Sequence, residues 1–259
     1  MKISRIVSYL DNRFPKELAW EQDLERIGLI IGDANIDVKN VLLTLDLTLE
    51  VLEEAISKDV NLIICHHPLI FNPVFKIFFQ SQLGKILSLM FKHQISLYVM
   101  HTNLDIGVGG VNDVLAKRLG ITNVQGVVEK YSYLRYGEIK AVSLLELAEI
   151  VKKEFNLRGV RIVGDENKKI TTVGIIGGAG GREDEILNAL NHQLDCYITG
   201  EIRLSAAQLA QENNLALIEI NHGVEKYVFD NLAVDLEKDL GLKNRVFITS
   251  IETDPLIFV

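Results

Sequence analysis

Residues 61–68 read NLIICHHP, and they carry the clearest structural signal in the chain. The apolar run 61–65 has the composition of a buried strand, and it stops at the adjacent His66 and His67, just before Pro68. In α/β proteins, ligands collect outside the carboxyl ends of the strands. A strand that delivers two imidazoles at that end therefore predicts a ligand site.

Two further apolar runs end in the same way. One leads into His101, which is followed by Asp105, and the other leads into His222, which is followed by Glu225. Imidazole nitrogens and carboxylate oxygens are ligands that suit Zn, Fe, Mn, Ni or Co. Histidines and acids at three strand ends therefore predict a metal site.

A structural role is the alternative for each of these side chains taken alone. A histidine after a strand is more often hydrogen-bonded than metal-bound, and Glu225 could be a first-turn acid favoured by the helix dipole. Four of the six histidines, however, fall at the three strand ends, whereas His93 and His192 lie late in predicted helices and are assigned to structure. Because the neighbours His66 and His67 diverge, they favour two ions, or one ion and a supporting role, over chelation of one ion.

Composition places the chain among ordinary globular proteins. It has 259 residues, of which 48% are hydrophobic, and 27 basic against 35 acidic residues give a net charge of −8, which opposes nucleic-acid binding. No apolar stretch approaches the ~20 residues that a membrane span requires. Cys65 and Cys196 stand alone in apolar runs, without a C-x-x-C pair, so we expect a reducing, cytoplasmic location.

The order of predicted elements indicates an α/β fold. Strands alternate with helices along most of the chain, an order that predicts mostly parallel, covered sheets. Residues 121–141 interrupt this alternation of strands and helices. We therefore predict two halves with similar element order, residues 1–127 and residues 128–259, and the C-terminal strand at 246–248 could pack on the first half.

Three other features leave alternatives open. The glycine run 177–181 (GGAGG) could cradle a phosphate, but a tight turn with close backbone approach is favoured. Cys65 beside His66 could be a nucleophile, but adjacent strand residues point to opposite faces, so a buried thiol is favoured. The aromatic loop 71–79 could stack on a purine or lie in a subunit interface, and the interface is favoured.

Several motifs taken together resemble one family over nearly the whole chain. Residues 66–69 (HHPL), 101–105 (HTNLD) and 110–113 (GVND) are joined by 198–201 (ITGE) and 253–255 (TDP). This set resembles the GTP cyclohydrolase 1 type 2 homologue family, also called the Nif-three-like family. Any one motif would be unspecific, but their combination is specific.

The resemblance implies a dinuclear metal site and an assembly. Two divalent ions (Zn, Fe, Mn, Ni or Co) would be held by His66, His67, Asp105, His222 and Glu225. His101 would lie beside them, and we take it as the candidate catalytic residue. The resemblance also implies two related α/β halves with mostly parallel or mixed sheets, the metal site between them, and a toroidal homohexamer. The family usually has four residues from the late histidine to the glutamate, whereas this chain has three.

The function expected from these observations is that of a metal-dependent hydrolase. Its substrate would be a small molecule, a purine nucleotide such as GTP, as in a GTP cyclohydrolase. One alternative is a phosphoesterase that uses the same ions, with Arg135, Arg182 or Arg203 as candidate phosphate ligands. The other is a non-enzymatic metal-binding ring with a regulatory or scaffold role.

Overall fold

The computed structural model describes residues 1–126, 128 and 130–256. They form two compact units. The first joins Met1–Val108 to Val228–Thr253, and the second joins Gly109–Tyr227 to the C-terminal residues from Asp254 onward. The predicted boundary between residues 127 and 128 touches residue 127, which lies outside the described residues.

The strands and helices follow the predicted alternation over most of the chain. The strands are β1 Gly28–Ile31, β2 Asn40–Thr44, β3 Val60–Cys65, β4 Ser96–Val99, β5 Thr122–Gln125, β6 Arg135–Ser143, β7 Arg161–Val163, β8 Lys169–Ile176, β9 Cys196–Thr199, β10 Ala216–Glu219 and β11 Val246–Ile248. The helices are α1 Ile3–Arg13, α2 Leu49–Ser57, α3 Gln82–His93, α4 Thr102–Ile106, α5 Val111–Arg118, α6 Leu144–Glu154, α7 Glu183–Asn191, α8 Leu204–Glu212 and α9 Val228–Leu240. Short 3-10 helices span Lys16–Leu18, Glu21–Asp23 and His222–Tyr227. Within the part of the chain that is described, no helix combines the length and apolar composition of a membrane span.

Side-chain caps fix where several helices begin. The Thr48 hydroxyl accepts from the backbone N–H of Val51 at the start of α2, and the Ser81 hydroxyl accepts from Gly84 at the start of α3. Ser143 and Glu146 form a reciprocal capping box at the start of α6. These local hydrogen bonds satisfy first-turn donors, so the sequence itself determines the helix starts.

The sheet of the first unit has the strand order β1-β4-β3-β2-β11 over the described residues. β11, β2, β3 and β4 are parallel, and β1 is antiparallel to β4. Every residue of β3 is buried, which explains its unbroken apolar run. Because β3 and β4 are parallel, with Cys65 paired to Val99, both strands end at the same edge of the sheet. The residues that follow them, His66 and His101 among them, are thereby delivered to one edge.

The sheet of the second unit has the order β5-β6-β8-β9-β10-β7. β8, β9 and β10 are parallel, and the flanking strands are antiparallel. Each unit is therefore an α/β structure built on a mixed sheet. The sequence did not predict β1, β5 and β6. All four residues of β5 are exposed and β6 alternates in burial, so neither carries the apolar run that marks the parallel strands.

The C-terminal strand belongs to the first unit. β11 pairs with β2, and Glu54 on α2 accepts hydrogen bonds from the Thr249 hydroxyl and from the backbone N–H and hydroxyl of Ser250. Partial burial alone would raise the pKa of Glu54, but the hydrogen bonds from Lys58 and Thr249 lower it to about 2. One charged carboxylate thus ties the chain after β11 to α2.

We expect Glu54→Ala to lower the free energy of unfolding by ~2 kcal/mol at neutral pH, because hydrogen bonds to a charged group contribute roughly 1.5–3 kcal/mol. The folded-state pKa is below the usual value of 4.5, so this contribution is present above that value and is lost as the pH falls towards 2. Urea unfolding near pH 7 and near pH 3 measures both effects.

The exposed neighbour Glu53 on the same helix provides the matched control. Glu53→Ala should leave the free energy of unfolding nearly unchanged. A difference between Glu54→Ala and the unaltered protein that stays the same at both pH values would contradict the assigned role of the charge.

Candidate metal centre

His66 follows β3 directly and is buried. Its Nδ1 lies 2.9 Å from the carbonyl oxygen of Met100, and since a carbonyl oxygen only accepts, Nδ1 carries the proton. The other nitrogen, Nε2, lies 3.5 Å from Oδ1 of Asp105 on α4. The ring is therefore held in one orientation, with Nε2 beside a carboxylate.

His67 is oriented by a carboxylate. Its Nδ1 lies 2.8 Å from Oδ1 of Asp46, whose Oδ2 accepts a hydrogen bond of 2.7 Å from the Thr253 hydroxyl. Burial alone would raise the pKa of Asp46, but the hydrogen bonds from His67 and Thr253 lower it. Asp46 therefore stays charged and keeps the proton of the imidazole on Nδ1.

His101 is oriented by a second carboxylate, which is fully buried. Nδ1 of His101 lies 2.7 Å from Oδ2 of Asp23, and the same oxygen accepts from the Thr102 hydroxyl at 2.7 Å. Arg26 adds an ion pair of 3.1 Å to the other oxygen. Burial alone would raise the pKa of Asp23, but the hydrogen bonds from His101 and Thr102 lower it to about 2.

The three histidines of the first unit form one cluster. Their ring centroids are 4.8 Å apart for His66 and His67, 5.3 Å for His66 and His101, and 5.9 Å for His67 and His101. One ring nitrogen from each lies within 4.8 Å of the others, so the group could hold a metal ion. The cluster lies at the edge of the sheet where the parallel strands β3 and β4 end.

In the second unit, a 3-10 helix brings His222 and Glu225 together. Nε2 of His222 lies 3.3 Å from Oε2 of Glu225, and both residues belong to the helix His222–Tyr227. A 3-10 helix has 3.0 residues per turn, so side chains three positions apart eclipse one another. The spacing of three is thereby compatible with a ligand pair. Nδ1 of His222 lies 2.6 Å from Oε1 of Glu201, a third orienting carboxylate.

The glycine turn makes room for this pair. Gly178 has φ +61°, and a Cβ atom there would lie 2.4 Å from Oε1 of Glu225 and 3.1 Å from Nε2 of His222. The neighbouring Gly177 donates its N–H to Asn112 at 2.7 Å. These contacts support the tight-turn alternative, in which the backbone approaches the acid closely.

The donor set fits a divalent ion. In each of the four histidines, Nδ1 lies within hydrogen-bonding distance of an oxygen atom, belonging to Met100, Asp46, Asp23 and Glu201 in turn. A histidine that binds metal almost always donates its other ring N–H to such an oxygen. The four Nε2 atoms are the nitrogens that lie opposite these oxygens.

Sequence reasoning missed these orienting acids. Asp46 and Glu201 each lie two residues after a parallel strand, β2 and β9, and so obey the strand-end rule that identified the histidines. Asp23 lies in a 3-10 helix, and no pattern in the sequence indicates its partner. Its role depends on a contact with a residue 78 positions away.

Two of the other candidate groups are engaged elsewhere. The Cys65 thiol is buried and lies 3.0 Å from the Leu45 carbonyl, and burial raises its pKa, which supports the buried-thiol interpretation. Arg135 is buried and binds Asp113 at 2.5 Å. The contact with Asp113 neutralises one of the cations considered for phosphate binding.

Comparison with known proteins assigns the family. The sequence model described as Duf34/NIF3 (NGG1p interacting factor 3) matches residues 1–255. The chain belongs to this family. Relatives include a "GTP cyclohydrolase 1 type 2 homolog" of Clostridium acetobutylicum, which is 30% identical, with 100% of this chain and 99% of the relative covered. A protein of the same name from Lactococcus lactis is 33% identical, with 98% of both chains covered.

A solved structure of the Duf34/NIF3 family has the same fold. The crystal structure of a Bacillus cereus protein related to NIF3 superposes with a TM-score of 0.91 at 26% identity, with 100% of this chain and 99% of the other covered. The resemblance to the family that the sequence motifs indicated is thus confirmed, together with the α/β fold.

Substitution of Gly178 tests the metal site without removing any ligand. We expect Gly178→Ala to lower the affinity for Zn²⁺ by about 10–100-fold, the usual effect of disturbing groups around metal ligands. The added methyl group would displace Glu225 and His222. Competition with a chelator measures the affinity.

Gly120→Ala is the matched control. Gly120 has φ +69°, close to that of Gly178, but a Cβ atom there would meet nothing within 4 Å. It should carry the same backbone strain and leave Zn²⁺ affinity unchanged. Equal losses of affinity in the two variants would contradict the assigned role of the glycine turn.

Proposed function

We propose that this protein is a metal-dependent hydrolase that acts on a purine nucleotide. Two divalent ions would be held by five residues, His66, His67, Asp105, His222 and Glu225. The observation that carries the proposal is that each unit presents an Nε2 atom beside a carboxylate, with the opposite nitrogen tied to an oxygen. The pairs are His66 with Asp105 and His222 with Glu225.

The proposed substrate class comes from the relatives. Their name, "GTP cyclohydrolase 1 type 2 homolog", refers to a reaction on a guanine nucleotide. Divalent ions at such a site supply Lewis-acid chemistry and make water a nucleophile near neutral pH. GTP is therefore the first substrate to test.

His101 is the residue that we assign to proton transfer. Asp23 holds the proton of this imidazole on Nδ1, so that Nε2 can accept a proton from one group and give it to another. An imidazole suits this role because one ring nitrogen can accept a proton while the other donates one. Asp23 is then a positioning residue, which fixes the tautomer of His101.

We also propose the toroidal homohexamer and the cytoplasmic location that the sequence suggests. The loop 71–79 presents exposed aromatic side chains, with Phe75 95% exposed and Phe79 84% exposed. Such exposed apolar surface favours a contact with another chain. Both cysteines are buried free thiols, in agreement with a reducing compartment.

Incubation of metal-reconstituted protein with GTP, followed by mass identification of the products, tests the reaction. We expect ring-opened or formate-releasing products. Free phosphate would instead identify a phosphoesterase, and full metal content without any turnover would identify a non-enzymatic metal-binding ring.

Elemental analysis of His67→Ala and Glu225→Ala tests the metal site separately. Both variants should lose bound metal, and their turnover rates should decrease at least ~10²-fold, because the ions supply the chemistry. His93→Ala, at an exposed position at the end of α3, is the control and should keep both. Unchanged metal content in both site variants would reject the proposed ligands.

A further inference from the structure

A cavity of ≈ 240 Å³ lies within the second unit, beside His222. Its lining includes residues at the ends of two parallel strands, Glu201 after β9 and Glu219 at the end of β10. Arg161 on the edge strand β7 and the apolar Leu256 also line the cavity. A crevice at the carboxyl ends of parallel strands is where α/β sheets bind their ligands.

The lining favours hydrogen-bond donors over anions. Glu201 and Glu219 bring two carboxylates, whereas the guanidinium of Arg161 is already paired with Glu219. Glu201 likewise lies against His222. An anionic ligand would meet two like charges, whereas a ligand with N–H groups would meet acceptors.

The contact between Arg161 and Glu219 shows what kind of hydrogen-bond donor the Glu219 carboxylate binds. Nη2 of Arg161 contacts both oxygens of Glu219. The Glu219 side chain is only 16% exposed, but that of Arg161 is 74% exposed and belongs to an edge strand. A long side chain that is mostly in solvent can move aside, so a planar ligand with adjacent N–H donors could take its place on Glu219.

We propose that this cavity binds a small planar heterocycle with two adjacent N–H donors, with Glu219 as the acceptor of both. The N1–H and 2-amino edge of guanine has this chemistry. The volume lies below the ~300–1,000 Å³ of sites for drug-sized ligands, so the cavity accommodates the ring and leaves sugar and phosphates outside. The inference rests on the proposed function, since His222 is both a wall of the cavity and a proposed metal ligand.

Calorimetric titration with guanosine and inosine tests the inference, because inosine lacks only the 2-amino group. We expect the unaltered protein to bind guanosine at least roughly tenfold more tightly than inosine, since a site built to accept a donor discriminates against the analogue that lacks it. Glu219→Gln, which replaces one acceptor oxygen by a donor, should abolish this preference. Glu212→Gln, at an exposed position on α8, should keep it.

Arg161→Ala provides a second variant with a prediction of the opposite sign. Removal of the side chain that competes for Glu219 should keep the preference and tighten guanosine binding several-fold. Equal affinities for guanosine and inosine in the unaltered protein would overturn the inference. So would a preference that survives Glu219→Gln, or orthophosphate binding more tightly than guanosine.

Metal content, measured on the same samples, separates this inference from the proposed function. Glu219 is not a proposed ligand, so Glu219→Gln should keep its metal. A protein that prefers guanosine but binds no metal would defeat the proposed function alone. A protein that binds metal but does not distinguish guanosine from inosine would defeat this inference alone.

Discussion

The candidate site depends on hydrogen bonds that hold one nitrogen of each imidazole. A histidine can present a defined nitrogen to a metal only if its tautomer and ring orientation are fixed. Here the fixing oxygen is a backbone carbonyl for His66 and a carboxylate for His67, His101 and His222. The sheets position the rings, and these oxygens determine which nitrogen of each ring points away from them.

The part of the fold that the sequence predicts well is the part with the strongest hydrophobic signal. β3 and β9 are buried on both faces, so their apolar runs are easily recognised in the sequence. The proximity of the histidines that follow β3 and β4 results from the parallel pairing of these two strands. β5 carries no such signal, because its side chains are exposed and its pairing with β6 depends on a partner elsewhere in the chain. Local pattern therefore predicts the buried, parallel strands better than the antiparallel flanks.

In the site, too, some residues are recognisable from the local sequence, whereas the role of others depends on contacts with residues distant in the chain. His222 and Glu225 are recognisable from the sequence, and the 3-10 geometry of their segment aligns side chains at a spacing of three. The acid Asp23 could not be assigned, because the chain holds 35 acidic residues and Asp23 is distinguished only by its contact with the distant His101. Ligand types can thus be read from the sequence, whereas the groups that orient them require the fold.

Anomalous X-ray diffraction from crystals of the metal-loaded protein, recorded on both sides of the absorption edge of the metal, tests whether these histidines bind metal through Nε2. We expect ions ~2.0–2.1 Å from Nε2 of His66, His67 and His222 if the metal is zinc, with every Nδ1 still bound to its oxygen. Ions coordinated through Nδ1, or bound at positions away from these histidines, would contradict this expectation.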